Sequence, residues 1–194
     1  LTRTAIEISE IIQQVGKSNF ISSFDAKSGF HQCLVKPEDR WLTSFVCNDG
    51  QFQWTRTPFG MRSSGTTFVR AVKRMLRPIR DHTKSYVDDM AVHSDNFQDH
   101  LHHIDCYLNV MKSAGFTLGL KKSELVKSKV KFVGHIVGSG NRSVDPEKIA
   151  VINDLKEPET KRQLRQIIGF FSFFREYIPG FAMVCKPLTD LTGK

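Results

Sequence analysis

The sequence predicts an α+β fold whose central part follows the split βαβ, ferredoxin-like order, an antiparallel sheet with both helices on one face. Three observations predict it. Short β-prone runs stand at 19–24, 85–87 and 90–92. Stretches with helical spacing of apolar residues lie between and after them. Asn48-Asp49-Gly50 and Asp88-Asp89 each sit between β-forming runs and mark hairpins. With the 43–54 hairpin set aside, residues 20–120 run strand, helix, strand, strand, helix, strand.

In chain order, Ile8, Ile11, Ile12 and Val15 recur at i, i+3, i+4 and i+7, which predicts an amphipathic helix ending at Gly16. Asn19 to Phe24 reads as a strand that stops at Asp25. Thr43–Cys47 and Gln51–Trp54 flank the Asn-Asp-Gly turn. Beyond Pro58 and Gly60, the residues Phe68, Val72, Met75, Leu76 and Ile79 follow helical spacing, and the helix stops at or just after Pro78. Ser85–Val87 and Met90–Val92 form the second hairpin. Ser94 is placed to cap a long helix with Phe97, Leu101, Ile104, Leu108 and Met111 on one face, closed by Gly115. Phe116–Leu120 and Val130–Val137 read as strands with a lysine-rich stretch between them. Asp145 is an N-cap followed by Pro146 at the first helical position, opening a helix through Leu155. Thr160 and Gln163 form a capping box before Leu164, Ile167, Ile168 and Phe171. Pro179 and Pro187 punctuate the rest.

The 194 residues carry 28 Lys+Arg against 20 Asp+Glu, a net charge of +8, with 40% hydrophobic residues. That balance excludes a disordered chain and asks for a polyanionic partner, nucleic acid first. No run of about 18 apolar residues offers a membrane span, so no membrane partner is expected. Leu1-Thr2-Arg3-Thr4 lacks an apolar signal region, so the protein is expected not to be secreted, and with no initiator Met the chain is expected to be either a fragment or a piece of a processed polyprotein. The four cysteines form no CxxC pair, consistent with reduced thiols. His102 and Cys106 have the i, i+4 spacing of metal ligands, but no second pair lies near in sequence and no zinc site is expected.

The predicted topology brings Asp25, at the end of one central strand, beside Asp88 and Asp89 at the neighbouring hairpin turn, on the open face of the sheet. Three converging carboxylates repel one another unless cations occupy the cluster. Hard oxygen ligands favour Mg²⁺, and a pair of such ions about 4 Å apart clamps the attacking and leaving oxygens of a phosphoryl displacement. An Asp-Asp pair by itself reads more readily as a polar turn, and it is the strand context and the upstream Asp25 that favour the cluster.

Several blocks then carry a resemblance. They are Phe24-Asp25-Ala26-Lys27-Ser28-Gly29-Phe30-His31-Gln32, Pro37-Glu38-Asp39-Arg40, Pro58-Phe59-Gly60-Met61, Tyr86-Val87-Asp88-Asp89, Phe132-Val133-Gly134-His135 and Val144-Asp145-Pro146-Glu147-Lys148. Arg175-Glu176-Tyr177-Ile178-Pro179-Gly180-Phe181 and Lys186-Pro187-Leu188 follow. In order and spacing, over nearly the whole chain, they resemble the reverse transcriptase domain of gypsy-type LTR retrotransposon pol polyproteins.

The resemblance implies a polymerase palm with partial fingers and the start of a thumb. Residues 1–41 are the palm start with the first metal-binding block, 42–57 a fingers hairpin, 58–137 the palm, and 138–194 the thumb or connection. It implies an RNA-directed DNA polymerase that extends a primer with dNTPs, using two Mg²⁺ ions, with Mn²⁺ as a substitute. Asp25, Asp88 and Asp89 hold the metals, together with the main-chain carbonyl of Ala26. Phe30 is the steric gate beneath the sugar, where a flat ring leaves no room for a 2′-OH. Taken alone, Phe30 reads as a core aromatic. Phe59 and Gly60 pack on the incoming nucleotide and templating base. Lys122 is the general acid for the leaving pyrophosphate, though a solvated loop lysine fits it nearly as well. Phe132, Val133, Gly134 and His135 are the primer grip. Lys121, Lys127, Lys129 and Lys131 contact backbone phosphates, and such contacts position a duplex without reading it. Phe170, Phe171, Phe173 and Phe174 are too dense for one helical face and are expected to pack between helices.

Partners implied are an RNA or DNA template, a primer, dNTPs and the remainder of the polyprotein, including RNase H and integrase. The implied location is cytoplasmic, including virus-like particles, or nuclear. Two departures stand out. Gly65 replaces a Pro usual after the Pro-Phe-Gly block, and Val69 replaces a polar residue. Two other readings remain open on sequence: an inactive transposon-derived fragment that keeps only the fold or nucleic-acid binding, and an RNA-directed RNA polymerase, which the bulky Phe30 disfavours.

Overall fold

The computed structural model describes residues 3–193, with side chains from Ile8 onward. Two units divide between Ser143 and Val144. The first begins with helix α1 (Arg3–Lys17) and strand β1 (Phe20–Asp25), followed by the hairpin β2 (Phe45–Cys47) and β3 (Gly50–Phe52). Helix α2 (Ser64–Leu76), strands β4 (Thr83–Tyr86) and β5 (Asp89–Ser94), and helix α3 (Phe97–Ser113) come next. Strands β6 (Glu124–Lys127), β7 (Lys129–Phe132), β8 (His135–Gly138) and β9 (Asn141–Val144) complete the set.

The main sheet has the order β4-β5-β1-β6, with antiparallel pairs throughout. This is the predicted split βαβ arrangement: the first strand and the one after the hairpin turn are central neighbours. Alternation of side chains assigns the two faces. Phe24, Met90 and Val92 point to one side, where they meet Phe68, Val72 and Leu76 of α2 and Tyr107 and Met111 of α3. The α2 residues recur every fourth position and so form one stripe. Phe24 stacks on Tyr107 with ring centroids 4.4 Å apart. Both helices therefore cover one face, as the sequence predicts.

The other face differs from the expectation of an open surface. Ile21 and Ala91 point there, and they are covered by Ile12 and Val15 of α1 and by Val130, Phe132 and Val137 of the β7–β8 hairpin. Apolar residues on the second face of a central strand must be covered to leave water. The turn of that hairpin reaches the β5 end that carries Asp89, whose carboxylate accepts the Val133 N–H at 3.0 Å.

Four further expectations are corrected. The cap of α3 is Asn96, whose side chain accepts the Asp99 N–H, while Ser94 ends β5. The buried face of α3 is His100, Tyr107 and Met111, while Phe97, Leu101 and Leu108 are exposed. His100 tolerates burial because Ser22 Oγ and Ser94 Oγ lie 2.8 and 2.9 Å from its two ring nitrogens, which satisfies both. The closing strand is β6 within the lysine-rich stretch; Phe116–Leu120 contributes only the bridge Leu118–Ala26. A bulge explains the choice: Val126, at φ 52°, donates its N–H to Ser22 Oγ at 3.0 Å, which joins a polar edge strand to β1. The run Val130–Val137 also breaks into two strands at Val133-Gly134.

The second unit holds α4 (Pro146–Asn153), α5 (Lys161–Ser172) and α6 (Phe181–Asp190). Asp145 caps α4 through the Glu147 N–H, and α4 ends before the expected Leu155. Thr160 and Gln163 make the full capping box of α5. Helix α6 runs through Pro187, a residue expected to end structure. Phe174 is buried and meets Phe170 and Phe173 edge-on, while Phe173 is exposed, so the aromatic run packs in part against itself.

Candidate active site

Asp25 and Asp89 are directly opposed residues at the ends of β1 and β5. Their shared register puts both side chains on the face that carries Ile21 and Ala91. Asp88 sits in the two-residue loop between Tyr86 and Asp89, which are themselves paired. The other loop residue, Val87, has φ 53°. A β-branched residue in the left-handed region is strained by about 1–2 kcal/mol. The strain falls on the residue between Tyr86 and the two aspartates.

Burial raises the pKa of Asp88 above the usual carboxylate range, with the Asp25 charge adding to it. Burial also raises that of Asp89; the Val133 N–H hydrogen bond and Lys131 oppose the rise, while Asp25 and Asp88 add to it. Asp88 and Asp89, which disfavour their own ionisation, stand with Asp25 as a donor set of hard oxygens suited to a divalent cation. As the side chains stand, no group of three acidic, His or Cys residues among the described residues is close enough to hold an ion. The reason is visible. Asp25 leans to the Lys122 ammonium, 3.9 Å away, and one oxygen of Asp89 accepts the Val133 N–H at 3.0 Å.

Ala26 lies next to Asp25 and bridges to Leu118. The bridging hydrogen bonds, Lys27 N–H to Thr117 O at 3.2 Å and Gly119 N–H to Asp25 O at 2.8 Å, flank Ala26. Ala26 is therefore at a non-hydrogen-bonded position, and the bridge leaves its carbonyl uncommitted.

Phe30 lies in the loop after Asp25 and meets Phe59 and Phe68 edge-on, with centroids 5.2 and 5.5 Å away. Phe59 is 62% exposed, and Gly60 has φ 85°. Phe30 and the Pro-Phe-Gly block thus border one aromatic corner. Lys121 and Lys122 follow Gly119 in a short 3-10 turn. A cleft of about 450 Å³ is lined by Asp25, Asp89, Lys121, Lys122, Lys131 and Phe132, among others. Lys129 and Lys131 alternate with buried Val130 and Phe132 and so share the exposed face of β7. Lys127 is exposed on β6.

Residues that the sequence did not single out also shape the site. Gln32 donates to the carbonyls of Lys27 and Thr117 at 2.6 and 2.8 Å and accepts the Thr117 N–H at 2.6 Å, which ties down the loop that bears Phe30. Gly29 sits so close to its neighbours that a Cβ there would lie 2.8 Å from the Phe68 ring and 3.2 Å from an Asp88 oxygen. Gly119 approaches Asp25 in the same way, its added Cβ meeting an Asp25 oxygen at 3.0 Å. Glycines beside the first aspartate and in the lysine block were the available signals.

A ferredoxin-order sheet with paired aspartates at its central strand ends defines the palm of a nucleic-acid polymerase. Residues 2–137 match the family model described as reverse transcriptase (RNA-dependent DNA polymerase), and the chain belongs to that family. It is 35% identical over 182 residues to the retrovirus-related Pol polyprotein from transposon gypsy of Drosophila melanogaster, covering 93% of this chain and 18% of that polyprotein. Among solved structures, it resembles the foamy viral protease-reverse transcriptase in complex with double-stranded DNA, with TM-score 0.87, 28% identity, and coverage of 96% of this chain and 33% of that one. The same enzyme in complex with an RNA/DNA hybrid matches with TM-score 0.84, 28% identity, and coverage of 94% and 25%. The chain thus spans about a fifth of the gypsy polyprotein and a third or less of the foamy viral enzyme.

Proposed function

We propose that this chain is the catalytic palm of an RNA-directed DNA polymerase encoded within a retrotransposon pol polyprotein. The observation that carries the reading is the cross-strand pairing of Asp25 with Asp89, with Asp88 held in the strained turn beside them. Asp25, Asp88, Asp89 and the Ala26 carbonyl are the groups that would hold two Mg²⁺ ions, with Mn²⁺ as a substitute. When bound, such ions activate the primer's 3′-hydroxyl oxygen and stabilise the charge on the leaving pyrophosphate.

The chain's own residues supply the rest. Phe30 fills the space beneath the sugar and excludes a 2′-OH, which selects dNTPs. Phe59 offers an exposed ring to the nucleotide and templating base, and Gly60 lets backbone approach closely. Lys122, already within 3.9 Å of Asp25, donates a proton to the leaving pyrophosphate. The hairpin turn Phe132–His135 seats the primer terminus. Lys121, Lys127, Lys129 and Lys131 contact template–primer phosphates, so binding weakens as salt rises. The foamy viral enzyme, solved with double-stranded DNA and with an RNA/DNA hybrid, supports a duplex partner. RNase H and integrase are the expected neighbours in the polyprotein.

Template-directed incorporation of a labelled dNTP, opposite an RNA template and with Mg²⁺, tests the reading. Incorporation that follows the template base is expected. Binding of the duplex without incorporation favours an inactive relic and overturns the proposal.

A further inference from the structure

Val133 and Gly134 form the two-residue loop between paired Phe132 and His135, with φ 50° and 72°. Positive φ at both central positions is the turn that matches strand twist, and glycine or asparagine normally fills them. Gly134 suits its place. Val133 does not: a β-branched side chain resists the left-handed region. The turn is nevertheless locked. Phe132 is buried among Ile21, Ala91, Val130 and Val137, and the Val133 side chain packs on the same cluster. In this conformation the Val133 N–H points at Asp89 and donates to its Oδ2 at 3.0 Å.

We propose that the main-chain N–H of Val133 is a positioning group for Asp89, so that one turn sets both the primer terminus and the metal-binding carboxylate. The inference rests on the reading of Asp89 as a metal ligand. A carboxylate at a strand end retains freedom about its side-chain torsions. A donor fixed on one oxygen removes that freedom and leaves the other oxygen for a cation. A hydrogen bond to a charged acceptor is among the stronger kinds. Because the donor belongs to the hairpin, any shift of the hairpin carries the Asp89 oxygen with it. A mis-seated primer would then disturb the carboxylate through a single contact, with no long pathway needed.

The test replaces the Val133 amide by an ester, which deletes the N–H and keeps the side chain. Mn²⁺ affinity is read by magnetic resonance titration without nucleic acid, alongside primer-extension kinetics and thermal unfolding. The ester is expected to weaken Mn²⁺ binding roughly tenfold, as loss of a hydrogen bond to a charged group implies. It should lower kcat with little change in the KM for dNTP, and lower Tm by a few degrees while leaving the protein folded. Val133→Gly keeps the N–H, relaxes the turn and should retain Mn²⁺ affinity. Wild-type Mn²⁺ affinity in the ester overturns the proposal. So does an equal loss in Val133→Gly, which would assign the effect to side-chain packing. If the unmodified protein binds Mn²⁺ but extends no primer, the polymerase reading fails, while the titration still decides this one.

Discussion

Asp25 and Asp89 face each other across the antiparallel pair β1/β5, the last paired residues before the hairpin turn that holds Asp88. Such a pair of like charges is unfavourable in a sheet, where direct opposition of equal charges destabilises. The fold accepts the cost at one end of its two central strands, where a cation would reverse its sign. Function and stability are therefore opposed at these positions.

The opposition can be measured. Asp25→Asn, Asp88→Asn and Asp89→Asn should each reduce primer extension by at least about 100-fold, the scale of losing a preorganised charge at a reaction centre. Asp88→Asn should raise Tm of the metal-free protein at pH 7. Its folded-state pKa is raised by burial and by Asp25, so ionisation is less favourable folded than unfolded, and a neutral side chain removes that penalty. A lower Tm in Asp88→Asn, measured without divalent cations, would contradict the account.

Phe30 is packed edge-on between Phe59 and Phe68, so its ring cannot swing away without disturbing both. Phe30→Ala should admit ribonucleotides and shift the dNTP-to-rNTP ratio of kcat/KM by roughly tenfold or more, the scale at which pocket shape discriminates. Single-nucleotide incorporation with paired dNTP and rNTP checks it. An unchanged ratio assigns Phe30 to the core alone.

Gly29→Ala places a methyl group 2.8 Å from the Phe68 ring and 3.2 Å from an Asp88 oxygen. Phe68 is fully buried and cannot easily retreat. The expected cost is about 1–3 kcal/mol of stability, as for overpacked cores, together with a loss of extension as Asp88 is displaced. Urea unfolding and primer extension should both register the change. An effect on stability alone would separate Gly29 from the site.

His93 gives a pH dependence remote from the aspartates. Its ring Nδ1 lies 3.0 Å from Ser18 Oγ. Its pKa falls from 6.5 to about 4, first through burial and then through Lys84 and His82. An unfolded imidazole takes up a proton below 6.5, while the folded one stays neutral until about 4. The unfolded state then binds more protons, so stability is lost as pH falls through that window, by up to about 3 kcal/mol. His82 and His100 are lowered in the same direction, mainly by burial. Unfolding free energies at pH 7 and pH 4.5 should differ less in His93→Gln than in wild type. An equal difference in the two proteins would assign the acid sensitivity elsewhere.

Much of this architecture is legible in the sequence where local chemistry is decisive. The Asn48-Asp49 turn, the Phe68-Val72-Leu76 stripe and the Thr160/Gln163 box all appear where expected, because turn residues, periodicity and caps act within a few residues of each other, while the second turn falls one residue earlier than expected, on Val87-Asp88 with Asp89 opening β5. Strand order brings Asp25 near Asp88 and Asp89, and the register of β1 on β5 sets Asp25 directly opposite Asp89. What stayed hidden depends on distant partners. His100 is buried because Ser22 and Ser94 satisfy it, and no spacing rule anticipates a buried imidazole. The lysines around β6 conceal a strand held by a bulge against Ser22. The Val133 N–H is invisible to residue type, since any non-proline residue there carries one.

The most direct test of the central claim is extension of a DNA primer on an RNA template with dNTPs and Mg²⁺, comparing wild type with Asp88→Asn. The account predicts template-directed products from the wild type and none above background from Asp88→Asn, with the variant still folded and still bound to the duplex. Extension that survives in Asp88→Asn, or a folded wild type that binds the duplex and adds no nucleotide, would contradict it.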